Sequence, residues 1–336
     1  MKLAEEIIEA EKILEECILS LPYLSRTFYD ENKATLKYTP INVRSTINFA
    51  NQPQFLCHGP SHQGRIETRP LQEQKSTILA AGLIACYCPR SNHIYYRSDC
   101  LNLDMILHEL NHVLSCDRKT ETATINKQGF TVITKDIKID GYALNEGATE
   151  WLVQKTLYGH DEYNEDSYLF ETRISRLLCL AMGDDVFFKA YSKANVKGLN
   201  KSVKAIAGSK PMEDLIYFMD LIQEALEYDL IPDLNPVVPD AILKLETEKL
   251  LKCLQHAFNR IQRIIIDIYF DNPKRVINEM DAYEFASLLI TDRMDNQKIK
   301  QMCDIFLKDN NEAVKYFLKK LELTHKPIAK TLRKVL

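Results

Sequence analysis

The string Ile106-Leu107-His108-Glu109-Leu110-Asn111-His112-Val113-Leu114 sets two imidazoles four positions apart in an apolar run. If the run is helical, His108 and His112 share a face and can direct ring nitrogens at one metal ion. Glu109 is offset by one position, so it is better placed for a water on that metal than for the metal itself. His-Glu-x-x-His on a helix is a zinc-site pattern with a glutamate base. The flanking positions are apolar, where a solvated surface helix would carry charge. A carboxylate between two imidazoles on such a helix is costly unless it has partners.

Tetrahedral zinc at a reactive site takes three protein ligands and leaves the fourth position for water. The stretch Leu144-Asn145-Glu146-Gly147-Ala148-Thr149-Glu150-Trp151 offers carboxylates at the start of a second helix. Glu146 is the expected third ligand. Glu150, one turn later on the same face, can accept the free ring N–H of a ligating histidine and fix its tautomer.

His108-Glu109-x-x-His112 followed by Asn145-Glu146-Gly147-x-x-Glu150 resembles the gluzincin metallopeptidases. These include thermolysin-like, aminopeptidase-like and anthrax-lethal-factor-like groups, and the fuller Leu-Asn-Glu-Gly-x-Thr-Glu string is similar to small bacterial zincin-like proteins. The resemblance covers roughly residues 76–195. It implies that Glu146 ligates Zn2+ and that Glu150 supports the site from behind. Gly-x-Met-Glu-Asn, the exopeptidase signature, does not precede His108, so an endopeptidase acting on a peptide or protein is expected.

In that chemistry zinc brings the pKa of a bound water to about 7. Glu109 would take the water proton and pass it to the leaving amine. An oxyanion donor is also needed, and Tyr142, Tyr168 and His160 are the candidates. The strand expected at His93–Ser98 is the candidate edge for pairing with an extended substrate.

These residues require elements to position them. Apolar spacing predicts helices over 2–21, 104–116, 145–158, 166–192, 212–229 and 240–270, with two or three more over 279–336. Short strands are expected at 93–98, 130–134 and 137–139, and Pro89–Asn92 reads as a turn. The fold class is therefore α+β, mostly α. Pro232, Pro236 and Pro239 would break any helix. Three segments follow: an N-terminal helix and irregular stretch over 1–75, a zincin-like domain over 76–231, and a helical C-terminal domain over 240–336.

Composition bounds the alternatives. A net charge of −4 offers no field for a polyanion partner. The basic tail beyond Asn311 carries seven Lys or Arg against two Glu on an amphipathic pattern, which reads as a solvated helix face rather than a nucleic-acid contact. No P-loop or Gly-x-Gly-x-x-Gly occurs, so nucleotide binding has no support. No window is apolar enough to span a membrane, and no signal peptide is evident. Nine scattered cysteines suggest reduced thiols and a cytoplasmic setting; export by a non-classical route is a separate question. Cys57-His58-Gly59-Pro60-Ser61-His62 lacks a second pair and reads as a polar loop. Two further functional readings use the same residues. One is a catalytically silent regulatory protein whose C-terminal helices bind a protein partner; the other is an injected effector protease.

Overall fold

The computed structural model describes residues 8, 12, 41–44, 85–88, 93–97, 102–117, 126–133, 139–158, 168–207, 211–227, 241–289 and 311–335. They form a mostly helical α+β protein, in agreement with the expected class. Most of 1–75, the turn at Pro89–Asn92, the Cys57–His62 stretch, His160 and the proline-rich 232–239 lie outside the described residues. At the N-terminus Ile8 and Lys12 are described, and both are helical.

Contacts divide the chain into two compact units: 1–163 with 188–196, and 164–187 with 197–336. The helices at 169–182 and 211–227 pack with the one at 241–271.

In the first unit, β1 (Ile41–Arg44), β2 (Ala85–Cys88) and β3 (His93–Arg97) form a mixed sheet in the order β1-β3-β2. β3 runs parallel to β1, with Ile94 opposite Ile41, and antiparallel to β2, with Tyr96 opposite Ala85. This corrects the reading of His93–Ser98 as a sheet edge: β3 is central and hydrogen-bonded on both sides. Its side chains explain the position, since Ile94, Tyr95 and Tyr96 are all buried, as expected of a strand covered on both faces.

Helix α1 (Leu103–Leu114) follows. The Asn102 side chain caps it by accepting from the Met105 backbone N–H at 2.9 Å. Ile106, Leu107, Leu110, Val113 and Leu114 pack against Tyr87, Ile94 and Tyr96 of the sheet. Each fully buried aliphatic side chain of this kind contributes about 1.5–3 kcal/mol. The helix stops earlier than expected, and Cys116–Asp117 becomes β4 instead. β4, β5 (Asn126–Gln128), β6 (Thr131–Ile133) and β7 (Ile139–Asp140) make an antiparallel meander. The β5–β6 turn uses Gly129 at φ +52°, a conformation that glycine adopts without a Cβ clash. Helix α2 (Tyr142–Tyr158) packs on α1 and β6.

The expected helix over 166–192 is two helices, α3 (Leu169–Met182) and α4 (Asp184–Ser192). Gly183, at φ +94°, ends the first, its N–H bonding to the Cys179 carbonyl. α5 (Val196–Ala207), α6 (Pro211–Glu227), α7 (Ala241–Asp271), α8 (Glu279–Leu289), α9 (Asn311–Thr324) and α10 (Lys326–Val335) complete the chain.

In the second unit α7 packs against α3, α6 and α9. Leu254, Phe258, Ile261, Ile265, Ile268 and Tyr269 recur at helical spacing and are buried. Buried polar ends are satisfied across helices. Arg173 donates to the Leu288 and Ser287 carbonyls at 2.7 and 3.1 Å, and Asn272 donates to the Ala181 carbonyl at 3.0 Å. Carbonyls at helix ends have no intrahelical partner and need such donors. No described helix is long and apolar enough to cross a membrane.

Tyr269, Phe285 and Phe317 form the aromatic centre of this unit, with ring centroids 4.3–5.7 Å apart. Phe317→Ala should destabilise the protein by about 3–5 kcal/mol through the cavity it leaves, measured by urea denaturation followed by circular dichroism.

Candidate metal centre

The helical repeat brings the spaced histidines together. His108 and His112 lie one turn apart on α1, their rings 4.7 Å apart between centroids and inclined at 76°. α2 packs across α1 and presents Asn145, Glu146, Thr149 and Glu150 toward them. His108, Glu109, His112 and Glu146 are all buried.

Three atoms converge. His108 Nε2 is 3.0 Å from His112 Nε2 and 3.2 Å from Glu146 Oε2, and His112 Nε2 is 3.4 Å from the same oxygen. Ligands held about 2.0–2.1 Å from a tetrahedral zinc ion are separated by about 3.3 Å along the edges of the tetrahedron. The three contacts therefore match one face of such a polyhedron. The types match as well, because two imidazoles and one carboxylate suit a borderline divalent ion. Among the described residues this is the group of ligating side chains that could hold a metal ion. The sequence expectation for the ligand set, His108, His112 and Glu146, thus falls on residues that meet in space.

The supporting shell is also resolved. Glu150 Oε2 lies 3.1 Å from His108 Nδ1, and Gln154 Nε2 donates to the other Glu150 oxygen at 3.1 Å. His108 is thus gripped at both ring nitrogens. His112 Nδ1 faces Asn145 Nδ2 at 3.3 Å and Thr149 Oγ1 at 3.4 Å. Thr149 Oγ1 is in turn 2.6 Å from the hydroxyl of Tyr191 on α4.

The charges of this cluster are set by one another. Burial alone would lower the His108 pKa, but the Glu146 and Glu150 carboxylates on its two nitrogens push it up to about 10. Burial would raise Glu146, and the imidazoles of His112 and His108 overcome that and hold its carboxyl well below the usual range. Glu109 goes the other way: desolvation pushes it up, with His112 and His108 opposing. One Glu109 oxygen, Oε2, is buried without a hydrogen-bond partner. The backbone N–H of Tyr87, on β2, also bonds to this side chain. Burial pushes the Tyr191 phenol up, so it stays protonated as a donor; hydrogen bonds with Ser115 and Thr149 pull against that shift.

No family model, no curated protein and no solved structure matches this chain.

Of the oxyanion candidates, Tyr142 is the first residue of α2, half-buried and one turn before Glu146. Tyr168 precedes α3 at φ +47° and belongs to the second compact unit. Sequence reasoning did not find Tyr191. It sits on a short helix with no motif around it, and only the packing of α4 identifies it.

The raised His108 pKa has a consequence for metal uptake. Between its ordinary 6.5 and about 10, the metal-free protein holds a proton on this ring that an ion must displace. Uptake at pH 7 should therefore release about one proton per ion, and affinity should tighten as pH rises toward 10 and weaken as it falls. Titration calorimetry in buffers of different ionisation enthalpy measures this; pH-independent uptake without proton release would contradict it.

Proposed function

We propose that this chain is a zinc-dependent peptidase of the gluzincin type, built on a zincin-like domain and acting as an endopeptidase. The observation that carries the reading is the convergence of His108, His112 and Glu146 on tetrahedral edge distances, beside a buried Glu109 oxygen with no partner. Glu109 follows His108 directly in the chain and is buried beside the ligand set, where a general base would have to lie.

Bound zinc would supply Lewis acidity, polarising a carbonyl and acidifying a water to near neutrality. Glu109, its proton affinity raised by burial, is suited to take a proton from that water and return it to the departing amine. Glu150 holds His108 in orientation through Nδ1. β2 packs on α1, and the Tyr87 backbone bonds to Glu109; β3, paired on both sides, is not an edge for an extended substrate.

The test combines metal content and turnover. Purified wild type should carry about one zinc per chain by mass spectrometry, and His112→Ala and Glu146→Ala should lose it. Glu109→Gln should keep the metal and lose cleavage of a peptide library by about 10²–10⁴-fold. Wild type that takes up no zinc would sink the proposal. Zinc with no turnover in wild type would leave the catalytically silent scaffold in its place.

A further inference from the structure

The helical repeat sets the spacing of His108 and His112 on α1, but it does not set the gap between α1 and α2. That gap decides whether Glu146 Oε2 stands 3.2 and 3.4 Å from the two imidazoles. Tyr191, on α4, touches both helices from outside. Its hydroxyl lies 2.6 Å from Thr149 Oγ1 on α2. The same hydroxyl bonds to the side chain of Ser115, which caps the C-terminal end of α1. Ser115 stands three positions after His112, and Thr149 three positions after Glu146. Residues three apart on a helix are surface neighbours, so the bridge crosses about one turn beyond the ligand on each helix.

The Tyr191 ring is held as closely as its hydroxyl. The Phe130 ring meets it edge-on, with centroids 5.6 Å apart and planes inclined at 66°. A Cβ at Gly129 would lie 2.6 Å from the Tyr191 ring. The β5–β6 turn that carries these two residues is itself fastened to both helices. Gly129 N–H donates to the Ser115 carbonyl at 2.9 Å, and Phe130 N–H donates to Asn145 Oδ1 at 3.0 Å. Ser115, Thr149 and Tyr191 are all buried, and buried hydroxyls are satisfied only by partners at bonding distance. A shift of α2 against α1 would break the hydroxyl bridge and strain both bonds of the turn.

We propose that Tyr191 is a positioning residue for the metal centre: its hydroxyl ties the end of α1 to α2 and so sets the distance at which Glu146 meets His108 and His112. The proposal rests on the metal-binding reading of the site. It gives a role to α4, whose sequence carries no motif, and it requires no change of charge on any ligand.

The test is metal binding by the full chain. Tyr191→Phe removes one oxygen and keeps the ring. Zinc affinity, by competition with a chromophoric chelator, should fall roughly tenfold. The visible d–d bands of the Co2+-loaded protein, which report ligand geometry, should shift. Lost packing alone would lower the melting temperature of the metal-free protein and leave both readouts as in wild type. Wild-type affinity with an unchanged Co2+ spectrum in Tyr191→Phe overturns the proposal while the metal site stands. If Tyr191→Phe does not fold, Ser115→Ala, which removes the partner at the end of α1, decides by the same two readouts. A wild type that takes up neither ion overturns the metal reading and this proposal together.

Discussion

Two imidazoles and three carboxylates enclosed between two packed helices constrain everything around them. Removing ionisable groups from water costs several kcal/mol each unless they compensate one another. Here each does so. Glu146 lies between both imidazoles, Glu150 holds the far nitrogen of His108, and Gln154 holds Glu150. The compensation works only at contact distance, so α1 and α2 must cross where His108 faces Glu146. The rest of the first unit serves that crossing. The sheet buries the apolar side of α1, and the β5–β6 turn and α4 close over α2 through Asn145 and Thr149.

The part of the site written in local spacing was readable in advance. His108 and His112 are brought together by the helical repeat alone, and Glu146 and Glu150 by the same repeat on a second helix. What could not be read was how distant segments meet. Tyr191 carries no pattern, because one hydroxyl on a short amphipathic helix looks like any packed tyrosine. That β3 is central and not an edge depends on β1, some fifty positions earlier in the chain. The break at Gly183 was missed because a single glycine within apolar periodicity is tolerated more often than not.

The second unit solves a related problem with different means. Its long central helix is buried by aliphatic and aromatic side chains, and its polar groups are used at helix ends. Arg173 reaches the terminal carbonyls of α8, and Asn272 reaches those of α3. Buried cations and amides thus do work that backbone hydrogen bonds cannot do at a terminus. Exposed pairs such as Arg263–Glu312 contribute at most about 1 kcal/mol.

The hold of Glu150 on His108 Nδ1 bears on which ions the cage would admit. A buried ring held from behind on a packed helix has little freedom left to adapt its position, so the spacing of the ligand atoms is a property of the fold rather than of the guest. A pliable cluster accommodates each ion at its own preferred radius, whereas a stiff one ranks them by shape. Calcium and magnesium seek six or more oxygens, and two imidazoles with one carboxylate on edges of 3.0–3.4 Å would leave them under-coordinated. Small ions content with four ligands lose nothing there. Selectivity would then follow from the rigidity of one side chain, not from the strength of any single bond.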